Sequence, residues 1–118
     1  MLIEFKIGNF KSFKEPATFS MTAVNSIRSK NKMLDKQNIF SINKQYELIK
    51  SASIYGANAS GKSSLIQGMF ALKTLILNSV KDEDCIKKNI IKFRLNTLHP
   101  TLPTLFEITF FISFSLSY

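Results

Sequence analysis

The feature that most narrows what this chain can fold into is the run Gly56-Ala57-Asn58-Ala59-Ser60-Gly61-Lys62-Ser63, set between an apolar, β-favouring segment and a helical one. Glycine at both ends of a four-residue loop lets backbone N–H groups turn inward around an anion, in conformations that side chains resist. A helix starting at the second glycine adds unpaired amides and the positive end of its dipole. The lysine then offers an ammonium to β- and γ-phosphates, and the serine hydroxyl offers a ligand to Mg²⁺. The run therefore reads as a Walker A phosphate-binding loop and predicts binding of a nucleotide triphosphate, ATP with Mg²⁺. Its candidate contacts are Gly56, Asn58, Ala59, Ser60, Gly61, Lys62, Ser63 and Ser64, with Ser63 as the metal ligand and the Ser60 hydroxyl as an added phosphate contact. With the chain's own frequencies of Gly, Lys and Ser/Thr, an accidental match has odds of roughly a few in a thousand.

The flanks agree with that reading. Leu48 to Tyr55 predicts a strand, with Ala52 and Ile54 in the small, β-favouring stretch that leads into Gly56. From Gly61 the period turns helical: Leu65, Met69, Leu72 and Ile76 share one face. Ile66, Phe70 and Leu77 widen the stripe, so the helix is expected to be covered on more than one side and to stop near Asn78-Ser79. Near the start, Ile3, Phe5 and Ile7 alternate with Glu4 and Lys6 as in a half-buried strand. A turn at Gly8-Asn9 and a break at Pro16 follow, then a second strand over Thr18–Ala23 that can pair with the first antiparallel.

Residues 25–36, including Arg28-Ser29-Lys30-Asn31-Lys32, read as a polar basic loop, and Ile39–Ile42 as a short strand. Lys87–Leu95 reads equally as strand or short helix, and His99-Pro100 with Pro103 marks a loop. In the tail, Phe106, Ile108, Phe110, Ile112, Phe114, Leu116 and Tyr118 alternate with mostly polar residues. That predicts a long strand or a bent pair with one greasy face, an aggregation hazard if its edge stays unpaired.

Composition limits the alternatives. A chain of 118 residues, 45% hydrophobic and 20% charged, suits one small globular domain, read here as 1–24, 25–47, 48–80 and 81–118. It is shorter than a full ATPase sheet of this kind usually needs. The net charge of +8 suits an anionic partner, or lysines spread over solvated faces, and the basic residues are scattered. The single Cys85 excludes an intramolecular disulfide and a cysteine-based zinc site, and the single His99 has no ligand partners near it in sequence. With no signal-peptide pattern, and an apolar end too short and polar to span a bilayer, the expectation is a cytoplasmic protein with no membrane partner.

Two strings together carry a family resemblance. Leu2-Ile3-Glu4-Phe5-Lys6-Ile7-Gly8-Asn9-Phe10-Lys11-Ser12-Phe13, followed by Ser51-Ala52-Ser53-Ile54-Tyr55 and the loop, resembles the N-terminal part of RecF/SMC-like ATPases. Those are ABC-type heads, and the chain is most similar to bacterial AAA-family ATPases related to the OLD and abortive-infection group, over most of its length up to about Phe110. The resemblance implies an α/β fold: a partial ABC-type P-loop NTPase head with a mixed sheet and a P-loop helix. It also implies that the turn after the first strand lies beside the nucleotide, making Lys11 and Ser12 candidate contacts; the other reading of the pair is a solvent-exposed hairpin turn.

Family members hydrolyse ATP by pairing two heads, which implies a homodimer of heads, and they act on DNA or in phage defence. The chain departs from the family where hydrolysis is concerned. No apolar strand ending in Asp and Glu follows the helix; Asp82, Glu83 and Asp84 sit too close to its end. A Leu-Ser-Gly-Gly signature and a switch histidine are also absent, so no catalytic residue is named. Three readings follow: an ATP-binding N-terminal fragment of a longer, truncated gene, with catalysis supplied elsewhere; a non-functional remnant; or a DNA-associated module.

Overall fold

The computed structural model describes residues 1–24, 37–42, 47–81, 84–95 and 102–112. Strand β1, Leu2–Gly8, takes the centre of a three-stranded antiparallel sheet between β2, Ala17–Ser20, and β5, Leu105–Phe110. Alternation along β1 sends Phe5 and Ile7 to one face, where both are fully buried. Across the ladders Phe5 stands opposite Phe19 and Ile108, and Ile7 opposite Ala17 and Phe106, so one apolar layer spans all three strands. β2 ends at Ser20 rather than running to Ala23. The Ser20 hydroxyl donates to Thr22 Oγ1 at 3.0 Å and accepts from the Thr22 amide at 3.2 Å, a local bond that competes with the ladder.

Helix α1, Lys62–Asn78, lies over that apolar layer. The core joins Leu65 and Ala71 of the helix to Phe5, Ile7 and Phe10, with Met69, Leu72, Phe13 and Phe106 packed around them. Gly68 sits at the closest approach, where an added Cβ would collide with the Ile7 Cδ1 methyl. A two-stranded antiparallel sheet of β3, Ile39–Ser41, and β4, Glu47–Ile49, hangs from the end of β2. The Ala23 amide donates to Glu47 O and the Ile49 amide to Met21 O, both at 2.8 Å, and Leu48 is buried at the junction. Short helix α2, Cys85–Asn89, packs on α1 through Cys85, which is 2% exposed and whose thiol reaches the Thr74 carbonyl at 3.8 Å.

Several expectations need correction. Both sheets are antiparallel throughout rather than mixed. The strand expected over Leu48–Tyr55 stops at Ile49, and residues 51–57 have no regular structure and are exposed, Tyr55 to 89%. A strand exists only where a neighbouring strand takes up its backbone bonds; here Asn38 takes those of Lys50 and Ser51, and among the described residues no strand pairs with the segment beyond them. Among the described residues helix α1 is covered on one side, not on several: Ile66, Phe70, Ile76 and Leu77 are exposed. Its buried line is Leu65, Gly68 and Ala71, because small side chains let helix and sheet approach where larger ones would hold them apart.

The Lys87–Leu95 segment is helical only to Asn89. β5 is paired along one edge by β1, a strand about a hundred residues earlier in the chain. The basic loop 25–36, Asp82 and Glu83, His99-Pro100 and the tail from Ser113 to Tyr118 lie outside the described residues. No described helix is long and apolar enough to cross a membrane.

Candidate functional site

The loop Gly56–Gly61 closes on itself before α1 begins. The Ser60 amide donates to the Ala57 carbonyl at 3.3 Å, and Ala59, with φ at 62°, turns the chain back. Gly56 lies close to Ser60: an added Cβ would stand 2.8 Å from Ser60 Oγ, so that hydroxyl would have to turn away. Gly61 is required by conformation: at φ 91° and ψ 0° it caps α1 in the left-handed region. The first bond of the helix runs from the Leu65 amide to Gly61 O at 2.9 Å, so the amides of Lys62, Ser63 and Ser64 have no partner within the helix. No acidic residue occupies its first turn.

Lys62 reaches back into this loop. Its ammonium donates to Gly56 O at 2.8 Å, to Ala57 O at 2.6 Å and to Ser60 Oγ at 3.3 Å, one partner for each of its hydrogens. Beside it lies a cavity of about 210 Å³ lined by Ser12 and by the unbroken run Asn58–Ser64. The lining carries hydroxyls, an amide and an ammonium but no carboxylate, a donor-rich set that suits an anion. A second hollow of about 300 Å³ lies behind the loop, walled by Phe13, Ile54, Tyr55 and Leu65 together with Gly56, Ser60, Gly61 and Lys62. Among the described residues no group of three His, Cys, Asp or Glu could hold a metal ion.

The turn after β1 is brought against this loop. Phe10 and Phe13 exchange backbone bonds at 3.0 and 2.8 Å around Lys11-Ser12, and Lys11 takes φ at 47° to close the turn. An added Cβ at Gly61 would touch Phe13 Cζ at 3.5 Å and Ser12 Cβ at 3.7 Å, which places the turn in contact with the start of α1. The two candidate contacts in the turn then part company. Ser12 lines the cavity, and its hydroxyl is 2.9 Å from that of Ser64, which is 8% exposed. Lys11 does not line it: its ammonium donates to Gln67 Oε1 at 2.6 Å and lies 5.9 Å from the Phe10 ring centroid, while its amide donates to Ile91 O at 2.9 Å.

Gly56 borders the second hollow and not the first, whereas Asn58 through Ser64 face the first. Sequence reasoning did not single out Phe13, Gln67 or Ile91. Gln67 stands three residues after Ser64 and so on the same helical face, a signal that becomes readable only once the turn is known to rest there.

Residues 51–115 match the family described as "AAA domain, putative AbiEii toxin, Type IV TA system". No curated protein and no solved structure matches the chain. The matched stretch takes in the loop, both helices and β5, more than half of the chain, and the chain belongs to this AAA domain family.

Proposed function

We propose that this chain binds ATP with Mg²⁺ through a Walker A loop, Gly56–Ser63, and the first turn of α1. The observation that carries the reading is the Lys62 ammonium held inside the loop against a carboxylate-free, donor-lined cavity. Phosphate oxygens compete for the same ammonium hydrogens, and a charge-assisted bond to phosphate is stronger than one to a neutral carbonyl. Asn58, Ala59, Ser60, Gly61 and Ser64 border the phosphates, and the Ser63 hydroxyl is the metal ligand. When bound, the cation shares the charge of the β- and γ-phosphates. Nucleotide binding is what membership of an AAA domain family leads one to expect.

Within that family we read the chain as part of an ABC-type, RecF/SMC-like head. What supports this is the N-terminal antiparallel strand pair and the Asn9–Phe13 turn set against the start of the phosphate-loop helix. Hydrolysis is a separate matter: among the described residues no carboxylate lines the cavity, and the sequence contains no apolar run ending in Asp and Glu after the helix.

Titration of the purified chain with Mg-ATP, wild type against Lys62→Ala, tests the assignment. Removing a charge-assisted bond is expected to weaken binding by about 1.5–3 kcal/mol, roughly tenfold to a hundredfold. Equal affinities for the two proteins would overturn it.

A further inference from the structure

The contact between the turn and α1 involves two hydroxyls that do not use up each other's hydrogens. Ser12 Oγ and Ser64 Oγ stand 2.9 Å apart, either one able to donate, and both line the loop cavity. A hydroxyl carries one hydrogen, so the bond between them consumes one and leaves the other available to an acceptor in the cavity. An anion there can accept that remaining hydrogen, and a donor that is also an acceptor is polarised by doing both. The turn that presents Ser12 is held at several other points. Reciprocal Phe10–Phe13 backbone bonds close it, Lys11 N–H is bound to Ile91 O, and the Lys11 ammonium is bound to Gln67 one helical turn beyond Ser64. Because Phe10 is 1% exposed in the main core, the turn continues directly into the centre of the sheet.

We propose that the Ser12–Ser64 hydroxyl pair couples phosphate occupancy of the loop cavity to the order of the Phe10–Phe13 turn, so that β1 and its turn sense a bound triphosphate. Whichever of the two hydroxyls donates within the pair, Ser12 is tied through it to an anion in the cavity. The inference rests on the phosphate-binding reading of the loop and adds the element that responds to it. Ser12 is well placed for this, since its backbone lies in the turn that follows β1 and its side chain lines the loop cavity.

Amide hydrogen exchange on the full 118-residue chain, with Mg-ATP and separately with magnesium and inorganic triphosphate, tests it. In wild type, both ligands are expected to slow the amides of residues 57–64 and, with them, those of Phe10, Lys11 and Phe13 by about threefold or more. In Ser12→Ala, at ATP concentrations that saturate the protein, the loop amides still slow while the turn amides stop responding. Ser12→Thr, which keeps the hydroxyl, restores the response. A structural role alone would alter turn exchange equally with and without ligand.

Slowing of the loop amides in wild type with an unresponsive turn would overturn the coupling and leave phosphate binding standing. Loop amides that ignore both ligands would overturn the binding itself, and the coupling with it. A response to ATP but not to triphosphate would assign the effect to the nucleoside rather than to phosphate, and also defeats the proposal. The wild-type comparison can decide against the coupling even if a variant fails to fold.

Discussion

Three glycines in this chain resist substitution to different degrees, one through its backbone conformation and two through a neighbouring side chain. At Gly56 a side chain would push the Ser60 hydroxyl aside, whereas Gly61 is held by the cap of α1 at φ 91°. Gly68 has an ordinary helical backbone, yet a methyl there would overlap Ile7 in the core. Gly68→Ala is therefore expected to destabilise the fold by about 1–3 kcal/mol, because the overpacking outweighs the better helix propensity of alanine. Urea denaturation checks this, and a rise in the midpoint would show that helix and sheet can move apart without cost. The residue types and spacing of the Gly56–Ser63 run stand out in the sequence, and the phosphate-binding role proposed for them rests on that pattern. Gly68 does not stand out, because the identity of the residue opposite it is settled by which strand α1 rests on.

Helix α1 shows what a hydrophobic pattern does and does not specify. Its existence and its extent follow from a helical period that begins at Gly61 and from the polar residues Asn78-Ser79 at its end. The buried face does not follow, since apolar side chains surround most of the helix and several faces would serve equally well. The sheet selects the line Leu65, Gly68 and Ala71, leaving Phe70 64% exposed and Ile66 59% exposed. Leu65→Ala is expected to cost about 2–4 kcal/mol, whereas Phe70→Gln should stay within about 0.5 kcal/mol. Equal losses at the two positions, read as unfolding midpoints in urea, would mean that the outer face of the helix is covered as well.

For the molecule as a whole, the decisive pairing is β1 with β5, which joins the first residues of the chain to residues a hundred positions later. Two kinds of contact hold it. Phe106 packs between Phe5 and Phe10, with ring centroids at 6.2 and 5.2 Å, and Lys6 pairs with Glu107 at 3.0 Å on the outer face. The aromatic contact dominates, because the ion pair is largely open to water, with side chains 34% and 54% exposed. Phe106→Ala is expected to destabilise by about 2–4 kcal/mol. A double-mutant cycle on Lys6 and Glu107 should return a coupling under about 1 kcal/mol. A larger coupling for the ion pair than for the aromatic contact would reverse that ranking.

What the sequence determined by itself was local. The β1–β2 pair, the span of α1 and the strand character around Phe106 to Phe110 all rest on spacing and on steric rules acting over a few residues, as does the Gly56–Ser63 pattern on which the proposed function is built. Tertiary structure decided the rest: that Leu48–Tyr55 is strand only to Ile49, that both sheets are antiparallel, that Ser12 faces the loop cavity, and that Lys11 turns instead to Gln67. Each of those depends on a partner distant in sequence. A backbone bond, a buried hydroxyl or an ammonium takes its role from whichever group happens to stand opposite, and residue types along the chain do not encode that separately.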